Sequence, residues 1–270
     1  MHKITLPSGH KMPVLGLGTW QATGDEAKQA VKRAIELGYR AIDTAWIYQN
    51  QKEIGEALKE ISIPREELFI TSKLWNDMHT YDDVIASCKE TLQQLQLEYL
   101  DLFLIHWPVP SVPIEETMRA LKTLVDEGLV KSVGVSNFSI KNLRDALAVS
   151  DVKISMNQVE FHPGLYQKDL LEFCNKSNIA VTGYCPIAKG KNFDDPSLKS
   201  VAEKHNKTPA QVSLRWLIQH GIFVIPKSVS EEHLKENMET DFELDAEDMD
   251  KIDSMPAMDR ICDPPFAEWD

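Results

Sequence analysis

The chain has 270 residues, 43% hydrophobic and 26% charged, the proportions of an ordinary globular protein that can bury a sizeable core without disulfides or a structural metal. Its net charge of −13 argues against a nucleic-acid or anionic-membrane surface, because both need clustered cations. Cys88, Cys174, Cys185 and Cys262 form no C-x-x-C pair, no apolar run is long enough to span a bilayer, and the opening residues lack a secretory apolar core, so a soluble, reduced, cytoplasmic monomer is expected.

The first stretch, HKITLPSGHKMPVLGLG, alternates like a hairpin and runs into a first strand-like segment, VLGLGTW. A helix is predicted from about Asp25, an N-cap candidate, with Ala27, Ala30, Val31, Ala34 and Ile35 on one face and Gly38 as its stop. Further β-branched runs follow near 40–43, 68–72, 101–106, 130–135, 154–159, 179–184 and 222–226, which makes eight in all. Helical stretches separate them: Pro113 opens one that Gly128 ends, Ser139 is placed to cap the next, and Thr208-Pro209-Ala210-Gln211 has the spacing of a capping box.

Strand and helix alternating throughout imply right-handed βαβ units and a parallel sheet. Eight units in this length predict a closed (β/α)8 TIM barrel over residues 1–270 as one domain, with an N-terminal β-hairpin and a non-periodic C-terminal tail over one barrel end. An open dinucleotide-binding sheet would want a G-x-G-x-x-G turn after its first strand, and GLGTWQATG matches poorly because Trp20 and Gln21 occupy the turn.

Four ionisable groups fall at or just beyond the ends of consecutive strand-like runs: Asp43, Tyr48, Lys73 and His106. Each alone has an ordinary explanation, as a cap, a packed phenol, a solvated lysine or a hydrogen-bonded core histidine. Together they would gather on the C-terminal rim of the barrel, where such folds keep their active sites. A phenol titrates near pH ~10, but an ammonium about 4 Å away at an effective dielectric of ~20 favours the phenolate by roughly 4 kcal/mol, before desolvation opposes the shift. Tyr48 is therefore the expected general acid, Lys73 its modulator, Asp43 the partner of Lys73, and His106 a guide for the substrate oxygen. Trp20, Trp46, Trp75 and Trp107 lie beside the same positions and are candidates to line an aromatic pocket, closed by Phe266 or Trp269. No H-x-x-x-H spacing includes His79 or His162, so no metal is expected.

The segments GYRAIDTAWIYQN, LFITSKLWN, LDLFLIHWP, GVSNF, NQVEFHP and IPKS resemble, in order and spacing, those of the aldo-keto reductase family. Within it, the short loops and the AEWD ending are most similar to the bacterial 2,5-diketo-D-gluconic acid reductases of the B type. The resemblance implies that NAD(P)H delivers hydride to the carbonyl carbon of an aldehyde or ketone while Tyr48 protonates the oxygen. It maps Ser136, Asn137 and Gln158 onto the nicotinamide carboxamide, Tyr184 onto the nicotinamide ring, and Pro186 and Ile187 onto the cofactor's neighbourhood. It places Lys227 and Ser228 on the adenosine 2′-phosphate and Glu236 and Asn237 on adenine.

Physics supports part of that map, since loops after the seventh and eighth strands of such barrels commonly bind phosphate. Here they carry Lys189, Lys191, Lys227, Ser228 and Ser230 ahead of a helix. Three departures from the family pattern stand out: His233 replaces a usual arginine, Gln51 a usual glutamate and Cys185 a usual serine. A histidine is mostly neutral at pH 7 and offers no charged fork, so NADP(H) is the expected cofactor with NAD(H) as an alternative. The competing functional classes are a cofactor-binding regulator or structural protein on the same scaffold, and a barrel lyase or isomerase using Lys73 as a Schiff-base amine.

Overall fold

The computed structural model describes residues 2–267 and Trp269, so Glu268 and Asp270 of the AEWD ending lie outside the described residues. Strands β1 (Lys3–Thr5) and β2 (Lys11–Pro13) pair antiparallel as the expected hairpin. The chain then alternates through β3 (Leu17–Gly18), α1 (Gly24–Leu37), β4 (Ala41–Asp43), α2 (Gln51–Glu60), β5 (Phe69–Leu74), α3 (Tyr81–Leu95), β6 (Leu100–Ile105) and α4 (Ile114–Asp126). It continues through β7 (Val130–Ser136), α5 (Ile140–Val149), β8 (Ile154–Glu160), α6 (Lys168–Lys176), β9 (Ala180–Tyr184), α7 (Pro196–His205), α8 (Pro209–Gln219), β10 (Phe223–Val224), α9 (Glu231–Met238) and α10 (Ala246–Asp253).

Strands β3 to β10 form one eight-stranded parallel sheet in chain order. The sheet curls until its edges meet: parallel bridges join Leu15 to Val224 and Gly18 to Lys227, the arrangement of a (β/α)8 barrel. Gly18 is needed at that seam, because a Cβ there would lie 2.6 Å from the Ile225 carbonyl oxygen.

Local signals explain most boundaries. Thr208 and Ser139 each form a capping box, with Gln211 and Asn142 respectively, at the starts of α8 and α5. Gly38 ends α1 in the left-handed region at φ 109°, where its N–H reaches back to the Ala34 and Ile35 carbonyls. One expected cap is corrected. Thr23 is the N-cap of α1, in extended conformation, and Asp25 stands inside the first turn with Glu26, where negative charge complements the helix dipole.

The strand period of two sorts the side chains into an inner and an outer core. Along β6, Phe103 and Ile105 join the large layer between sheet and helices, while Leu102 and Leu104 join a smaller cluster inside the barrel. Ala41, Phe69, Met156 and Phe223 share that inner cluster, and Leu6 and Met12 at the hairpin cover its lower end. Higher inward positions up the strands are Asp43 after Ala41, Thr71 and then Lys73 after Phe69, His106 after Leu104, and Gln158 after Met156. Apolar residues thus fill the lower interior and polar groups crown it. Among the described residues no helix is long and apolar enough to cross a membrane.

Candidate active site

Asp43 is the last residue of β4, Lys73 lies near the end of β5, His106 directly follows β6, and Tyr48 sits in the 3-10 turn Trp46–Tyr48 after β4. The structure brings all four together. Lys73 is fully buried, and its Nζ donates to Asp43 Oδ1 at 2.5 Å, to the Thr44 carbonyl at 2.9 Å and to Tyr48 Oη at 3.4 Å. The Tyr48 and His106 rings meet edge to face with centroids 5.7 Å apart. Thr44 donates to Asn50 Oδ1, and Asn50 donates in turn to the carbonyls of Thr19 and Ala22, which braces the loop carrying Tyr48.

Electrostatics depart from the sequence arithmetic in one respect. The Tyr48 phenol is pushed well above its usual range, first by burial, then by the Asp43 carboxylate and the nearby Cys262 and Cys185 thiols. The lowering expected from Lys73 does not prevail, because burial dominates and Asp43 lies against the same ammonium. Tyr48 therefore keeps its proton. Burial also lowers Lys73, with Asp43 opposing, and drives His106 well below its ordinary value, with the Lys73 charge adding to the effect. His106 is thus a neutral imidazole at pH 7, and its buried Nδ1 has no partner among the described groups.

Ser136, Asn137, Gln158 and Tyr184 form one hydrogen-bonded patch joined to these four residues. Gln158 Nε2 donates to Asp43 Oδ2 at 2.7 Å, and Asn137 Nδ2 donates to the His106 carbonyl at 2.9 Å. Tyr184 Oη donates to Asn137 Oδ1 at 2.8 Å, while Ser136 Oγ donates to the Gln158 carbonyl at 2.8 Å. Asn137 holds φ 62°, a left-handed conformation that asparagine tolerates better than most residues. Pro186 and Ile187 lead from β9 into the turn Ala188–Gly190.

The opposite end of a bound dinucleotide would meet β10 and α9. Lys227 is exposed, and among the described residues its side chain has no hydrogen bond or ion pair. Ser228 Oγ accepts from Ser230 N; Ser230, the N-cap of α9, makes no side-chain cap bond, so the first N–H groups of that helix stay available. A free cation beside an uncapped helix start fits a phosphate group, against the opposing charges of Glu231 and Glu232. His233 is exposed on α9, Asn237 is buried, and Glu236 already accepts from Thr208 Oγ1 at 2.6 Å.

The four tryptophans divide. Trp75 packs edge-on to His106 at 5.2 Å and to Phe266 at 6.1 Å, and Trp107 packs against Phe266 and Trp269 at 5.3 and 5.6 Å. These form one aromatic wall beside the catalytic candidates, with the tail supplying part of it. Trp20 is 43% exposed under the Lys189 ammonium, and Trp46 donates its indole N–H to Glu90. Sequence reasoning missed Glu160, a fully buried carboxylate at the end of β8, although its period-two spacing from Met156 and Gln158 marks it as inward.

The sequence matches the Aldo/keto reductase family over residues 14–257. It is 45% identical over 260 residues to a Bacillus subtilis (strain 168) protein called glyoxal reductase, covering 96% of this chain and 94% of that one. It is likewise 45% identical to aldose reductase B of Dictyostelium discoideum, over 94% of this chain and 92% of the other. The fold superposes on the crystal structure of a Bombyx mori aldo-keto reductase in complex with NADP with a TM-score of 0.91 and 35% identity, covering 97% of this chain and 95% of that one. This chain belongs to the aldo/keto reductase family.

Proposed function

We propose that the protein is an NADP(H)-dependent oxidoreductase that reduces aldehydes and ketones to alcohols, with Tyr48 as general acid. The observation that carries the reading is the contact of Tyr48 Oη with the buried Lys73–Asp43 pair, on a rim tied through Gln158 and Asn137 to Ser136 and Tyr184. Ser136, Asn137, Gln158 and Tyr184 would hold the nicotinamide end, with Pro186 and Ile187 beside them. Lys227, Ser228, His233, Glu236 and Asn237 would hold the adenosine end. Bound NADP(H) supplies the hydride, which no side chain here can.

The protein's own residues do the rest. Burial and Asp43 keep the Tyr48 proton in place at neutral pH, so it is available to a carbonyl oxygen as negative charge develops there. His106, held neutral, can donate one ring N–H to the same oxygen without competing as an acid. Trp75, Trp107 and Phe266 would present apolar ring surfaces to the substituents of the reacting carbonyl. The Schiff-base reading is disfavoured, because Lys73 Nζ is wholly buried and directs its three N–H groups to Asp43, Thr44 and Tyr48.

Two likenesses suggest substrates. Resemblance to the 2,5-diketo-D-gluconic acid reductases of the B type points to keto sugars, and similarity to a protein called glyoxal reductase points to small α-dicarbonyls. The test is a panel of methylglyoxal, 4-nitrobenzaldehyde and a 2,5-diketo sugar acid, each run with NADPH and NADH in parallel. Loss of NADPH absorbance with at least one carbonyl is expected. No turnover despite NADPH binding would favour the regulatory alternative.

A further inference from the structure

Glu160 accepts from His162 Nε2 and Ile261 N on Oε1, at 3.0 and 2.6 Å, and from Cys262 N on Oε2 at 2.9 Å. Both Glu160 and His162 are fully buried. Burial pushes the Glu160 carboxyl up, but His162 and the two backbone N–H groups outweigh it and hold the group below its usual range. Two of its three donors belong to the tail, about a hundred residues away in sequence.

The tail after α10 has no helix or strand among the described residues, so its N–H groups find protein partners only outside regular secondary structure. The end of β8 and the loop after it supply them. Met258 N donates to the Gly164 carbonyl at 2.8 Å, and Arg260 donates to Gln167 Oε1 at 3.0 Å. Gln167 Nε2 in turn donates to the Glu160 carbonyl at 2.6 Å. The Arg260 guanidinium lies 3.8 Å over the Trp269 ring, which packs on Trp107, and Phe266 bridges Trp75 and Trp107. A continuous set of contacts therefore runs from one buried carboxylate to the aromatic wall beside His106.

We infer that Glu160 is a positioning residue, a latch that docks the tail and so sets how the site discriminates among carbonyl compounds by the size of their substituents. It does not touch the reacting carbonyl. A small dicarbonyl needs only the inner groups, whereas an aromatic aldehyde must lie against Phe266 and the rings the tail braces. The latch stands on geometry alone, and its effect on selectivity rests on the carbonyl-reductase reading.

Two variants test this. Glu160→Gln keeps the volume but removes the charge, and Ile261→Pro removes one N–H donor while leaving the buried carboxylate intact. Both are expected to speed hydrogen exchange across the amides of residues 258–267. Both should raise KM for 4-nitrobenzaldehyde about tenfold, the size of one charge-assisted hydrogen bond. KM for methylglyoxal, and kcat for both, should stay within about twofold, well short of the effect of losing such a bond. Unchanged tail exchange in both variants would overturn the latch. Equal loss of kcat on both carbonyls, with no KM split, would overturn the selectivity role. Failure of the reductase reading appears separately, as no NADPH oxidation by the unmodified protein with either carbonyl, while the exchange measurement still decides the latch.

Discussion

Lys73 Nζ lies 2.5 Å from Asp43 Oδ1, and neither side chain has significant access to water. An ion pair so enclosed contributes little net stability when intact, since desolvation offsets its attraction, yet breaking it leaves a charge stranded. Asp43→Asn is therefore expected to destabilise the fold by about 3–5 kcal/mol in urea titrations. The double variant Asp43→Asn with Lys73→Met should recover part of that loss. A double variant less stable than the single one would show that the stranded ammonium is not the cause.

Tyr48 retains its proton through burial and the Asp43 charge, which fixes the sign of the pH dependence. A general acid whose pKa lies well above ~10 stays protonated across the neutral range, so kcat/KM for reduction should be level between about pH 6 and 9. Tyr48→Phe should lower kcat by about 10²–10⁴ while NADPH affinity stays unchanged. A falling limb near neutral pH that vanishes in Tyr48→Phe would mean that cofactor binding, rather than the protein alone, sets the titration.

His233→Arg places a permanent charge and a planar fork on an exposed turn of α9, close in sequence to Lys227 and Ser228. NADPH should bind about 1 kcal/mol, or roughly fivefold, more tightly, with little change for NADH. Equal effects on the two cofactors, measured by fluorescence titration, would remove the 2′-phosphate from this neighbourhood.

His79 is buried with its Nε2 unpartnered, and burial lowers its pKa to about 4, with Asp77 opposing. Above pH ~6.5 the ring is neutral in both folded and unfolded chains, and its contribution to stability is complete. As pH falls toward 4 the unfolded chain takes up the proton first, so stability drops, by about 2 kcal/mol between pH 7 and pH 5. His79→Gln should flatten that part of the stability profile. An unchanged slope in urea denaturation would assign it to other groups, His106 first.

Much of this was legible in the sequence, for a definite reason. Asp43, Lys73 and His106 end β-branched runs, and the period of two that hides Phe69 and Leu104 inside the barrel sends Lys73 and His106 to the same side. Hairpin, strand order and capping boxes follow from equally local rules. The direction of the Tyr48 shift was not legible, because it depends on how burial and Asp43 combine in three dimensions. Glu160 was half legible: its period-two spacing from Gln158 points it inward, but its backbone donors arrive from Ile261 and Cys262, about a hundred residues away. Trp20 and Trp46 read as pocket residues by proximity in sequence; their partners Lys189 and Glu90 come from other turns of the chain and were not legible there.

The ring of strands has one thin place. β3 and β10 are two residues long, and three backbone hydrogen bonds join that edge: Gly16 to Val224, Val224 to Val14, and Gly18 to Pro226. Lys227 is the very next residue. A nucleotide gripped by Lys227 and Ser228 would sit astride the gap like a buckle, and the linkage runs both ways. Whatever factor the nucleotide imposes against parting of those two strands, parting imposes against the nucleotide. Breathing of the barrel and release of its cofactor would then be one motion, timed at the edge where the first strand meets the last.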